Sequence, residues 1–297
     1  MNRGKFLFWG AVFFLNIFVS QARADESAES LEAPGSSTVA IENTAVESKV
    51  IGNIDLRPSY TSKAGEFHTE NYVELGYQFN PKTQVSAAHN FTTNLYDPQA
   101  ADSSLKLAAV DAYLRAKFNK IWVSSDTKLS LSYQPRFYLP ITQANRDAGM
   151  LTAIRNYLTL TQELTDSISF STVLLPILHV YSRSGSVASD GTAKANPFLE
   201  GRVYFVTDFT LTKKLSLSLP VMFHATRYAN FQAGAKLNNT WGYFMWVFPE
   251  IIYALTPQIG VGLAYYSDNL VKEDLSGFTF GEGLEKGITQ LVLQASL

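Results

Sequence analysis

The chain holds few side chains suited to chemistry at neutral pH, and they are scattered. Its four histidines are His68, His89, His179 and His224. Only His224-Ala225-Thr226 sets an imidazole and a hydroxyl two positions apart, on one side of an extended segment, the pairing a hydrolase uses to activate a nucleophile. The other three have neither Ser nor Thr at the second following position. No His-x-x-x-His and no carboxylate cluster with ligand spacing occurs, so no metal is expected. No glycine loop is present to cradle a phosphate. The absence of cysteine removes thiol catalysis, Cys-ligated metals, disulfides and a lipid-modified cysteine together. These residues predict neither an enzyme nor a cofactor.

The charged residues suit a different chemistry. Arg136, Arg155 and Arg202 each lie about ten residues from a short turn, which predicts a similar height on three strands. Fixed guanidinium groups around a narrow passage focus potential and select solutes by charge. With Glu200, Asp208, Glu250, Arg115 and Asp111 they form the expected pore lining. The competing expectation is that the arginines pair with Glu163, Glu200, Asp208 and Asp111 and plug the interior. Phe244, Trp246 and Phe248 share a face with Glu250, giving an apolar patch there. Gly260, Gly262 and Ala264 follow on the next strand, where large rings would lie over them.

The elements that must position these residues are strands. From about residue 50 the hydropathy alternates with period two. Leu199, Gly201, Val203, Phe205, Thr207, Phe209 and Leu211 oppose Glu200, Arg202, Tyr204, Val206, Asp208 and Thr210. The runs are about 10 to 14 residues long, the reach of a tilted strand across hydrocarbon, whereas sandwich strands are about five or six. Short turns are expected at 80–83, 119–125, 164–167, 211–214 and 255–258, and longer connections at 95–104, 140–149, 182–197, 229–238 and 267–284. The pattern predicts an all-β, transmembrane, antiparallel up-and-down barrel of 12 strands, with 10 or 14 if a weak element is split or merged. It must close, because an open edge in lipid strands unpaired backbone groups. Pro58, Pro135, Pro176, Pro220 and Pro249 predict bulges or fading pairs.

Residues 1–24 read as a signal peptide: Arg3 and Lys5, an apolar run from Phe6 to Ser20, then Ala22-Arg23-Ala24 before Asp25. Residues 25–49 carry six acids and one base with little to bury, a disordered acidic periplasmic tail. The barrel is expected over 50–297, where 20 bases balance 20 acids and nucleic acid is no natural partner.

At the carboxyl end Leu291, Leu293, Ala295 and Leu297 alternate with Gln290, Val292, Gln294 and Ser296. This resembles the last strand of Gram-negative outer-membrane proteins, which usually ends in Phe or Trp where Leu297 stands here. The resemblance implies an outer-membrane, porin-like barrel that meets lipid and small solutes, is recognised by the barrel-assembly machinery, and keeps both chain ends in the periplasm. The expected function is passive diffusion of small hydrophilic solutes. A sealed scaffold binding through loops 182–197 and 267–284 is the alternative. A lipid hydrolase ranks lower: the barrel phospholipases carry His-x-Ser-Asn-Gly, and no such string is present.

Overall fold

The computed structural model describes residues 49–61, 66–96, 106–187, 193–229, 241–272 and 275–297. The expected signal peptide and all of the expected tail except Lys49 lie outside the described residues, as do most of 95–104 and 229–238.

Alternation becomes strand wherever its two faces meet different media. The first seven are β1 (Val50–Thr61), β2 (Glu66–Asn80), β3 (Thr83–Tyr96), β4 (Lys106–Val123), β5 (Leu129–Leu139), β6 (Met150–Thr165) and β7 (Ile168–Tyr181). A small hairpin, β8 (Gly185–Val187) and β9 (Ala193–Ala195), stands apart from the main sheet. Then come β10 (Pro197–Thr210), β11 (Leu215–Tyr228), β12 (Trp241–Val247), β13 (Glu250–Ala254), β14 (Ile259–Tyr266) and β15 (Ile288–Ser296). Two short helices, α1 (Gln143–Asp147) and α2 (Phe280–Glu285), sit in the longer connections.

All barrel pairings are antiparallel, and β1 closes on β15. Both β12 and β13 pair with β11 in one continuous register, Val221 opposite Val247 and Ser218 opposite Glu250. They are one strand interrupted at Phe248-Pro249, where neither Pro249 nor Pro220 has an N–H to give. Counted so, the barrel has 12 strands.

The outer face is apolar. Leu75, Phe79, Leu114, Phe137, Leu174, Leu178, Phe223, Leu263 and Leu291 are exposed on it, as a surface in contact with hydrocarbon requires. The opposite parity faces inward.

Several expectations are corrected. The turn expected at 119–125 lies at 124–128, because β4 runs on to Val123. A register shift between Phe118 and Trp122 absorbs the extra length, with Lys120 at φ 47° and its N–H on the Ser132 hydroxyl at 2.9 Å. Of the two outcomes expected at the prolines, interrupted pairing is found at Pro58 and Pro176 and bulging is not. Leu56–Leu293 and Ser59–Gln290 flank Pro58 in one register, as Arg155–Ile177 and Leu158–Leu174 flank Pro176. A proline removes one donor, and the bonds on either side hold the alignment. The expected last strand begins at Ile288 and not at 285, since α2 occupies the preceding residues.

Candidate functional site

The interior divides into a polar wall and a packed one. The inner face of β1 to β5 carries Asn53, Asp55, Glu74, Gln78, Ser86, Arg115, Lys117, Ser130 and Arg136, placed there by parity on strands whose outward positions are Leu, Phe and Val. On β7 the inward residues are instead Val173, Leu175 and Ile177. Leu175 is 1% exposed and Ile177 0%, so that wall is packed by apolar side chains. They join one buried cluster with Tyr157, Tyr204, Met222, Phe248, Ile252, Tyr266 and Val292.

Four groupings organise the charges. The first is a basic row: Arg115 is the cross-strand partner of Arg136, and Arg136 of Arg155. Like charges set side by side repel, and aromatic faces between them offset this. The Arg136 guanidinium lies 4.3 Å from the Tyr157 ring centroid and 4.8 Å from that of Tyr113, and Arg155 lies 4.1 Å from that of Tyr138. Arg115 forms an ion pair with Glu74, which also accepts from Tyr72 at 2.6 Å and Asn53 at 2.8 Å. Lys117 stands next to this row on β4, in register with Gln84, and joins no ion pair among the described residues.

The second grouping lies further round the wall from the first, on β1, β2, β13, β14 and β15. Arg57 on β1 donates to Asp55 at 2.9 Å, to Glu250 on β13 at 2.7 Å and to the Tyr266 hydroxyl at 2.9 Å. Gln294 reaches Asp55 at 3.2 Å and Gln290 reaches Glu70 at 3.3 Å. Three carboxylates around one guanidinium leave this side acidic.

In the third, Glu200 is a hub. Its carboxylate meets His179 Nε2 at 2.6 Å, Arg202 Nη2 at 2.9 Å and His224 Nε2 at 3.0 Å, and Glu200 is 2% exposed. Thr226 Oγ1 lies 2.6 Å from His224 Nε2, the same nitrogen that meets Glu200. A proton relay from hydroxyl through imidazole to carboxylate uses both ring nitrogens. Here one nitrogen serves both neighbours, so the arrangement orients and neutralises.

The fourth is aromatic. Phe244 and Trp246 stack at 5.3 Å and flank His224 at 5.4 and 5.8 Å. Phe248 stacks on Tyr266 at 5.6 Å and meets Tyr204 edge-on at 6.2 Å. The expected rings over Gly260 and Gly262 are not found. Ile252 covers both, at 3.2 and 3.0 Å from where a Cβ would stand. Glycine is needed at 262 because such a Cβ would meet the Ile251 carbonyl oxygen at 2.1 Å.

Of the predicted residues, then, Arg115, Arg136 and Arg155 come together. Arg202 does not join them. Ile177 stands opposite Arg155 and Glu200 opposite Ile177, while Arg202 pairs two residues along with Leu175. Asp208 lies further along β10, between Ser169 and Ser218. Asp111 is on β4, and its side chain lies outside the described residues. Lys128, just before β5, is in the 124–128 turn and exposed. The tyrosines of the basic row and the inward aliphatics of β7 went unnoticed in the sequence. The run Val173 to Leu178, apolar at both parities save Pro176, was the available signal for the latter.

A closed ladder, an apolar outer band, short turns at one end and long connections at the other define a transmembrane β-barrel of outer-membrane type. Solved structures agree on the fold. The chain is similar to the NanC porin, with 12% identity and a TM-score of 0.50 over 82% of this chain and 98% of that one. It is also similar to an outer membrane channel from Pseudomonas putida F1, with 11% identity and a TM-score of 0.57 over 85% of this chain and 97% of that one. No protein-family model and no curated protein matches the sequence.

Proposed function

We propose that the protein is a non-enzymatic channel of the outer membrane, through which small hydrophilic solutes diffuse passively. The observation that carries this reading is the row Arg115–Arg136–Arg155 on β4 to β6, set apart round the inner wall from the acidic grouping of Asp55, Glu70 and Glu250. Charges of opposite sign at separate places on the inner wall set up a field between them, which orders a polar solute and excludes an apolar one. The passage runs along the polar wall of β1 to β5, since the opposite wall is filled by side chains. The two similar structures, a porin and an outer membrane channel, support the same reading. The start of β1 and the end of β15 lie at the short-turn end, which we assign to the periplasm, and β15 is the segment offered to the barrel-assembly machinery.

The test is single-channel recording of the refolded protein in a planar bilayer under a salt gradient. Discrete openings with an anion preference are expected, and Arg155→Ala should lose most of that preference while retaining conductance. A folded barrel that passes no ions would overturn the reading.

A second reading has an observation of its own. Arg57–Glu250, Arg202–Glu200 and Arg115–Glu74 are paired inside, as in a sealed barrel acting through its outer connections at 182–197 and 267–284. It expects silence in the same recording.

A further inference from the structure

The connection from β14 to β15 leaves large apolar side chains uncovered at the long-connection end. Phe278 is 68% exposed, and Phe280 and Leu284 are 47% exposed each. The Phe278 and Phe280 rings stack at 5.0 Å, and Leu284 lies one turn of α2 beyond Phe280, on the same side. At about 100° per residue, Glu282 and Glu285 fall on the opposite side of α2 and Gly283 on its flank. That flank holds the helix in place. Gly283 is buried, and a Cβ there would meet the Asn269 carbonyl oxygen at 2.7 Å. The Gly283 carbonyl accepts from the Asp268 amide at 2.8 Å. Thr279 donates to the Leu270 carbonyl at 2.9 Å through its amide and to the Asn269 carbonyl at 2.8 Å through its hydroxyl. The Leu270 amide in turn donates to the Met245 carbonyl of β12 at 2.9 Å. The helix is thus fastened to the barrel with its apolar side turned away from it.

One contact shows which way that side faces. Tyr265 on β14 has the outward parity of Ile259 and Leu263, which are 44% and 55% exposed on the lipid-facing band. Its hydroxyl donates to the Leu284 carbonyl, so the end of α2 lies over the hydrocarbon-facing side of the wall and not over the lumen. The uncovered side chains are therefore continuous with a surface that already meets lipid. Aromatic rings gather where a barrel crosses the membrane surface, and an amphipathic helix sinks its apolar face there by about 5–10 Å. We propose that Phe278, Phe280 and Leu284 dock α2 on the membrane, at the boundary of head groups and acyl chains in the leaflet at the long-connection end. This rests on the barrel lying in lipid, and holds whether or not the barrel conducts.

The absence of cysteine allows a single fluorescent label on the whole chain refolded into phosphatidylcholine vesicles. Labels go at Phe278→Cys and Leu284→Cys, with Glu282→Cys for the opposite side of α2 and Leu263→Cys for the lipid-facing wall. All four positions are exposed, so the fold should tolerate them. Phosphatidylcholine brominated on its acyl chains should quench the labels at 278, 284 and 263 and spare that at 282. Iodide, present on both sides of the bilayer, should do the reverse. Labels at 278 and 284 that iodide quenches as fully as the one at 282 overturn the proposal. Shielding of both from either quencher overturns it too, because protein then covers them. Shielding from iodide that vanishes as the protein is diluted in lipid means that the cover is a second copy, which is a third way for it to fail. In the Leu284→Cys chain, Phe278→Ser with Phe280→Ser should move the label from lipid quenching to iodide quenching. A label that stays in lipid there means that the two rings do not seat the helix, and the proposal falls.

Discussion

Inside the barrel, side chains of one charge have two ways of being tolerated, and they fail differently on mutation. Glu200 is held by partners: replacing it with Gln takes the carboxylate from Arg202, His179 and His224 at once. Breaking a buried pair from one side costs about 3–5 kcal/mol, so Glu200→Gln should shift urea unfolding in lipid vesicles by that order. Arg155 is held partly by a ring face, 4.1 Å from Tyr138. A cation–π contact is worth about 0.5–2 kcal/mol. Arg155→Ala should therefore unfold close to the parent while its ion preference changes. Stability and selectivity are thus separable at these two positions, and unfolding curves measured beside reversal potentials would show it.

Among the elements, β7 is the one on which period two carries least information. Phe170, Leu174 and Leu178 face lipid while Val173, Leu175 and Ile177 face the packed interior. If that interior is packed, Leu175→Ala leaves a cavity and costs about 2–5 kcal/mol. Leu174→Ala, on a face 47% exposed, should cost much less in the same vesicle unfolding assay, and equal costs would mean a wet wall behind β7. The contrast also explains what the sequence could tell. Strands such as β10 were legible because Glu200, Arg202 and Asp208 alternate with Leu199, Val203 and Phe205, and only one parity can meet lipid. Turns such as Asn80-Pro81-Lys82-Thr83 were legible from their residue types. The inner apolar cluster was not, because assigning polar residues inward presumes water there. Nor was the Glu200 hub. Its contact with His179 depends on the register between β7 and β10, which the connection 182–196 sets and alternation does not. The same register separates Arg202 from Arg136 and Arg155, where distance from the turns alone had put them level.

For the whole molecule, the termini of the ladder meet. The Leu297 amide donates to the Gly52 carbonyl at 2.9 Å, and β15 is hydrogen-bonded to β1 along its length. A ring of neighbours has no first member. Order along the chain and order around the wall are therefore independent properties, linked in this protein only by where the backbone happens to be cut. Joining residue 297 to residue 50 through a short linker and opening the chain between β11 and β12 would give a circular permutant with every pairing retained, and cuts in surface connections are the ones such rearrangements tolerate. That permutant should still migrate differently on gel electrophoresis before and after boiling, as the parent should. A permutant that never acquires the heat-sensitive band would mean that the wall is assembled from one particular end.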